Sequence, residues 1–197
     1  MKQIRMTFAF LLVIAASATA FGQQHGTETP TPSRPQTSPT TPQQQTNRDA
    51  NREKLRTLLD AEGPKINITF RQSDKQPYNF VGVLKTGLKN ADALEIVISV
   101  SAQDTIHFRI FPHYKDSYVN VDKVASGAGL MRQMVRFSDQ NFLFWGADSS
   151  SDIFAGYNFT LESGFPDAAI NVVLRSIANV DTFIGQMRPA IDGSAAQ

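Results

Sequence analysis

Apolar residues fall in runs along this chain, and the spacing within each run changes from segment to segment, which is what separates a helix from a strand. In "NREKLRTLLDAEG", 51–63, Leu55, Leu58 and Leu59 share one helical face. Asp49 or Asn51 can cap that segment and Gly63-Pro64 can stop it, so a short amphipathic helix is predicted. "KINITF" alternates Ile66, Ile68 and Phe70 against Asn67 and Thr69, the period of a half-buried strand. "SDKQP" makes a turn, and "YNFVGVL" reads as a second strand with Gly82 as a candidate bulge. "LEIVISVSA" then sets Leu94, Ile96, Ile98 and Val100 on one face. "TIHFRIFPH" sets Ile106, Phe108 and Ile110 opposite His107, Arg109 and Phe111. Four antiparallel strands in meander order are the simplest arrangement.

Between Asn120 and Arg136 the spacing turns helical through Val121, Val124, Ala128, Leu130, Met131, Met134 and Val135. Gly127 and Gly129 oppose that reading by about 1 kcal/mol each relative to alanine. Two more strands follow near 141–147 and 152–161. Pro166 and Asp167 then open a long helix, the first suited to a turn that lacks N–H partners, the second to the positive end of the dipole. Ile170, Val173, Leu174, Ile177, Val180, Phe183, Ile184 and Met187 carry it to Arg188-Pro189. The predicted class is α+β: an antiparallel sheet of about five to six strands with a short N-terminal helix, a middle helix and a long C-terminal helix packed on it.

The ends of the chain read differently. Lys2 and Arg5 precede an apolar run from Met6 to Ala18, which leads into Ala18-Thr19-Ala20, a small-x-small pattern at which signal peptides are cut. The run is too short for the ~20 residues of a spanning helix, so residues 1–22 are expected to be a signal peptide, cut after Ala20 or Gly22, with no stable membrane span left behind. Residues 23–50 hold five of the ten prolines and no large aliphatic or aromatic side chain. Such a segment cannot bury enough apolar surface to offset its ordering entropy and is expected to be a disordered tether. A folded domain over 51–190 and a disordered tail over 191–197 complete the division, and the expected location is periplasmic or secreted.

Composition narrows the function. With Lys2 and Arg5 removed, 17 basic side chains face 18 acidic ones, and no basic stripe of the kind that holds nucleic acid is present. Cysteine is absent, which excludes disulfides, thiolate metal sites, a cysteine nucleophile and a lipidated N-terminal cysteine. The run Asp148-Ser149-Ser150-Ser151-Asp152 after "NFLFW" has oxygen ligands to offer a hard cation. It departs from an Asp-x-Ser-x-Ser site at its last position and reads better as a hairpin turn. His107 and His113, with Tyr114 and Asp116 nearby, are candidates for an acid–base or metal cluster, and hence for a hydrolase. No Gly-x-Ser-x-Gly elbow supports that reading, and "SGAGL" lacks the spacing of a phosphate loop. The expectation is a non-enzymatic protein with no cofactor and no metal.

Aromatic side chains are the remaining clue. Phe137, Phe142, Phe144, Trp145, Phe154, Tyr157 and Phe159 crowd one predicted hairpin. Strict alternation puts Phe142 and Phe144 on one face and Leu143 and Trp145 on the other. Such a two-faced hairpin is either buried, by helices or by a dimer mate, or exposed as a binding surface formed by Phe142, Phe144, Trp145, Phe154 and Tyr157. An apolar ligand pocket under the long helix, lined by Phe108, Phe144 and Phe159, is the alternative.

The order helix, strands, helix, two strands, long helix resembles the YbjN-type bacterial sensory-transduction-regulator family, whose fold is similar to that of type III secretion chaperones. The resemblance spans about Arg52 to Ala190. It is best through "GLMRQMVRFSDQNFLFWGAD" and "YNFTLESGFPDAAINVVLRSIANVDTFIGQM", which includes an Ala-Asn-Val-Asp segment. It implies a non-enzymatic module that binds a protein partner, and it brings no catalytic or ligand residues with it; with the two-faced hairpin, the expectation is a chaperone-like, self-associating homodimer.

Overall fold

A computed structural model describes residues 41–195; the signal-peptide expectation and most of the expected tether lie outside the described residues. The first element, α1, runs Pro42–Glu62 and so begins nine residues inside the expected tether. Thr41 and Gln44 form a capping box, with the Gln44 N–H donating to the Thr41 hydroxyl at 3.3 Å and the Thr41 N–H to the Gln44 side chain at 2.9 Å. No apolar period marks residues 42–50, because polar contacts hold them. The Tyr78 hydroxyl donates to Asp49 at 2.7 Å, Arg48 donates to the Val100 carbonyl at 2.8 Å, and the Arg48 guanidinium lies 3.6 Å from the centre of the Tyr78 ring.

The strand expected over "KINITF" does not form. A 3-10 turn, Gly63–Ile66, follows α1 and ends at Asn67 in the left-handed region, with φ 59°. Ile68 and Phe70 lie over the sheet instead of joining it. A Cβ at Gly82 would stand 2.6 Å from Ile68 Cγ2 and 2.7 Å from Phe70 Cδ1. Gly82 is therefore the space that lets these two side chains down onto the sheet, not a bulge, and its pairing to Ile96 is in unbroken register.

The remaining elements are β1 (Arg71–Gln72), β2 (Asn79–Leu84), β3 (Ala93–Val100), β4 (Thr105–Tyr114), β5 (Ser117–Tyr118), α2 (Gly127–Gln140), β6 (Phe144–Ala147), β7 (Ile153–Thr160), α3 (Asp167–Ser176) and α4 (Val180–Ile191). The sheet is antiparallel throughout, in the order β1-β2-β3-β4-β7-β6 with β5 beside β4. The fold is α+β, as the periodicity implies. The β4–β5 turn, Lys115-Asp116, has φ of 52° and 61°, the double positive φ of a type I′ hairpin. The middle helix starts at Gly127, because Asn120–Ser126 forms a turn whose last residue caps the Gly129 N–H at 3.2 Å. The expected long helix is two, α3 and α4, joined by a 3-10 turn at Ile177–Asn179, and it continues past Pro189 to Ile191.

All four helices share one side. The row Gly82, Ile96, Ile110, Ala155 and Trp145 runs across the sheet by register. This inner face joins Leu55 and Leu59 of α1, Leu130 and Met134 of α2, Ile170 and Leu174 of α3, and Ile184 and Met187 of α4 in one core.

One buried carboxylate ties the C-terminal helix to the β2–β3 loop. Asp181, in the first turn of α4, is 6% exposed. Its oxygens accept the backbone N–H groups of Lys89 and Asn90 at 2.9 Å and of Ala91 at 2.8 Å, with the Asn90 amide at 3.2 Å. At the far end of α4, Asp192 accepts the Tyr114 hydroxyl at 2.7 Å and Lys115 at 2.8 Å. The Lys115 hydrogen bond, then those from Ser194 and Tyr114, hold the Asp192 carboxyl well below the usual carboxylate range. The segment just after α4, expected to be disordered, is thus fastened to the β4–β5 hairpin. No helix of the described residues is long and apolar enough to cross a membrane.

Asp181→Ala leaves three backbone N–H groups without acceptors and is expected to lower unfolding free energy by about 3 kcal/mol. Urea denaturation followed by circular dichroism checks this, and an unchanged midpoint contradicts it.

Candidate functional site

The outer face of the sheet is the surface that the helices leave free. By register it carries three rows of alternate residues. Arg71, Val81, Val97, Arg109, Gly156 and Phe144 form the middle row. Asn79, Ser99, His107 and Asn158 make a polar row on one side of it. Val83, Glu95 and Phe111 lie on the other side, where Gly146 pairs with Phe154. Nothing among the described residues stacks on these rows as the helices stack on the inner face.

Aromatic rings give the apolar side its own local packing. Phe111 meets Phe154 at 5.6 Å and Tyr118 at 6.1 Å, and Phe144 meets Phe154 edge-on at 5.9 Å. The Arg109 guanidinium lies 4.6 Å from the Phe154 ring centre. Phe111 and Phe154 are consequently covered, while Val83, Tyr118 and Phe144 remain 37–39% exposed. Gly156 lets the group close, since a Cβ there would stand 2.9 Å from Phe144 Cζ.

Beside these rings, the Tyr118 hydroxyl donates to Glu95 at 2.9 Å. Burial, followed by that hydrogen bond and the Glu95 charge, pushes the Tyr118 pKa up to about 12. His113 Nε2 lies 3.7 Å from the same Glu95 oxygen, with its ring 4.3 Å from Tyr118. Towards the other end a groove of ≈ 630 Å³ is lined by Arg48, Asn79, Ser99, His107 and Arg109 among others. Arg109 makes no ion pair among the described residues. The face therefore offers an apolar floor, hydrogen-bonding groups at one end and an uncompensated guanidinium at its centre.

The residues singled out from sequence do not form one patch. Phe144 and Phe154 lie on the outer face. Trp145 lies on the inner face, 8% exposed, between Phe137 at 6.2 Å and Phe183 at 5.9 Å. Tyr157 pairs with Phe108 in register and stacks on Phe159 at 4.8 Å, on the inner side. Phe142 precedes the strand, so alternation does not reach it, and it packs edge-on to Tyr157 at 6.1 Å.

Phe108, Phe159 and Phe144 cannot line one pocket, because the first two are closed into the core and Phe144 is on the opposite face. His107 and His113 share a face, yet six residues of strand separate them by about 20 Å, and His107 bonds Asn158 at 3.0 Å. Asp148 and Asp152 face their own turn. Asp148 accepts the N–H groups of Ser150 at 2.8 Å and Asp152 at 3.0 Å, and Asp152 accepts the Asn120 amide at 2.8 Å. Among the described residues no group of three or more His, Asp or Glu side chains is placed to hold a metal ion. Sequence reasoning missed Glu95, Tyr118, Arg109 and Phe111 as a group: Glu95, Arg109 and Phe111 sit at alternate positions of strands that it recognised, and Tyr118 lies on β5, which it did not predict.

No protein-family model matches the chain, and no curated protein matches it. Among solved structures, a chain of the ExsC-ExsE complex is similar at 14% identity over 66% of this chain and 90% of that chain, with a TM-score of 0.38. A similarity of that degree carries no argument about what this chain binds. The YbjN-type resemblance accordingly rests on the sequence pattern alone.

Trp145→Ala is expected to act as a core deletion costing about 3 to 5 kcal/mol in urea unfolding, whereas Phe144→Ala costs less than about 1.5 kcal/mol; equal losses contradict the assignment of faces. The raised Tyr118 pKa contributes stability below the unfolded pKa of about 10, and that contribution fades as pH rises towards the folded value. Glu95→Gln is expected to give more tyrosinate absorbance at pH 11 than the unaltered protein, and identical titration curves contradict the link.

Proposed function

We propose that this chain is an exported, non-enzymatic, chaperone-like module of the YbjN type that binds a protein partner on the outer face of its sheet. The observation that carries the reading is that face itself, with Val83, Tyr118 and Phe144 exposed, Val97 half-buried between them, and Arg109 without an ion pair among the described residues. Contiguous exposed apolar surface edged by polar groups marks contact sites more often than it occurs by default. Aromatic side chains and arginine are the types that dominate protein contacts.

Recognition by strand addition is disfavoured at both edges. β1 has two residues, and at β6 the outward Trp145 N–H is already taken by the Ser138 hydroxyl at 2.8 Å. A partner segment therefore lies across the face, its apolar groups on the aromatic side and an acidic or carbonyl oxygen at Arg109. Export is supported by Lys2, Arg5 and the apolar run before Ala18-Thr19-Ala20. A non-enzymatic role fits the separation of His107 from His113 and the engagement of Asp148 and Asp152 in their own turn. The alternative of a small apolar ligand has less support: the cavity between β2 and α3, lined by Leu84, Leu174 and Ile177 among others, holds only ≈ 220 Å³, below the usual size of such sites. A groove of ≈ 750 Å³ runs along Glu53, Lys54, Leu58, Ala61 and Phe165, away from the expected position between sheet and long helix.

Photocrosslinking in the producing cells tests this. With benzoylphenylalanine at Val83 or Phe144, discrete protein adducts are expected in the exported fraction. The same group at Val172 of α3, which is 59% exposed, gives none. Equal adducts at all three positions, or none at Val83 and Phe144, contradict the proposal.

A further inference from the structure

Two arginine side chains line the outer-face groove, and neither has an acid to pair with. The groove follows β3 and β4, with Arg48 at the end by Val100 and with Val97, Arg109 and Phe111 further along. Both guanidinium groups are held in place. Arg48 Nε donates to the Val100 carbonyl at 2.8 Å, and its guanidinium lies 3.6 Å from the Tyr78 ring centre. That of Arg109 lies 4.6 Å from the Phe154 ring centre. Neither makes an ion pair among the described residues. A guanidinium fixed on an aromatic face loses little freedom on meeting a carboxylate and can offer it two parallel N–H donors. The acids already on this side are engaged: Glu95 accepts the Tyr118 hydroxyl at 2.9 Å, and Asp148, on the rim, accepts the N–H groups of Ser150 and Asp152. The complement of the groove is a pair of carboxylates from outside.

Backbone hydrogen bonding decides what carries them. β3 lies between β2 and β4, and β4 between β3 and β7, so their N–H and C=O groups are spent on neighbouring strands. An extended segment on this face would find no backbone partners, whereas a helix pairs its own. We propose that the groove takes an acidic amphipathic helix of a protein partner, with one carboxylate on Arg48, one on Arg109 and apolar side chains between them on the half-buried Val97. Arg109 pairs in register with Val97 and leans on Phe154, beside Phe111, the register partner of Glu95. From Val100 back to Val97 or Glu95 is three to five residues of strand, about 10 to 17 Å. A helix covers that distance in about seven to eleven residues, and of those steps about seven or eleven return to the same face.

This partner rests on the outer face being a protein-contact surface, as proposed above, and gives that contact its chemistry. A polyanion such as nucleic acid fits less well, because Val97 and Phe111 find no match in a phosphate chain and Asp148 stands on the rim.

Fluorescence anisotropy of the purified protein with labelled alanine-rich peptides of about 20 residues, long enough to be helical in water, tests the inference. Each peptide carries leucines on one face and two glutamates, spaced about seven, eleven or nine residues apart, the last of which puts them on opposite faces. At least one same-face peptide is expected to bind roughly tenfold more tightly than the opposite-face peptide, and Arg48→Gln and Arg109→Gln each to weaken it roughly tenfold with an unchanged circular dichroism spectrum. Arg136→Gln, at an exposed position of α2, is expected to leave binding as it is. No binding, equal binding of the opposite-face peptide, or indifference to either groove arginine overturns the proposal. Such a failure alongside crosslinks at Val83 and Phe144 rejects the acidic helix alone, whereas missing crosslinks reject the contact surface itself.

Discussion

A seven-stranded sheet has two faces to cover, and the four helices described here all stand on one of them. Their single core explains the chemistry of the strands. Inner positions of β3 and β4 are Leu94, Ile96, Ile98, Ile106, Phe108 and Ile110, all at most 0% exposed, and outer positions on the same strands are Glu95, Ser99, His107 and Arg109. Hydrophobic burial on one side supplies the driving force for the whole domain. Asp181 then fixes where α4 sits by collecting three N–H groups that the β2–β3 loop cannot pair within itself. Gly185 contributes to the same junction, since a Cβ there would meet the Asn90 side chain at 2.7 Å.

The outer face is left to settle its own surface. Near the β4–β5 hairpin it does so with Phe111, Phe154, Tyr118 and Arg109, and that group is separate from the main core. A second layer of helices would have covered these rings, and none of the described elements does. The result is a small aromatic floor bordered by Glu95 and a polar row, packed on itself and still open enough to be contacted. Function on this account comes from incomplete coverage rather than from an assembled set of reactive groups.

The strands β3, β4 and β7 were legible because strict alternation and one-sided burial coincide in them. In "KINITF" the same alternation misleads, since Ile68 and Phe70 point together onto Gly82 without any strand pairing. The start of α1 had no apolar signal because Arg48 and Asp49 are held by Tyr78, far away in sequence. The Lys115-Asp116 turn carried no glycine or asparagine to announce its positive φ values. Asp181 looks in sequence like an ordinary acid at a helix start, and only the loop folded against it gives the residue its role. For the site, the aromatic hairpin was visible but the assignment of faces was not: Trp145 and Tyr157 went to the core, and Phe144 and Phe154 to the open side. The partners of those two, Phe111 and Tyr118, come from β4 and β5, and register alone brings them together.

The account turns on which aromatic side chains meet solvent, and hydroxyl-radical footprinting of the purified protein read by mass spectrometry measures that directly. The structure predicts rapid oxidation at Tyr118 and Phe144 and slow oxidation at Trp145, Phe108 and Phe159. Protection of Tyr118 and Phe144, or rapid oxidation of Trp145, would mean that the outer face is covered or the inner face is not, and would contradict the open-sheet account.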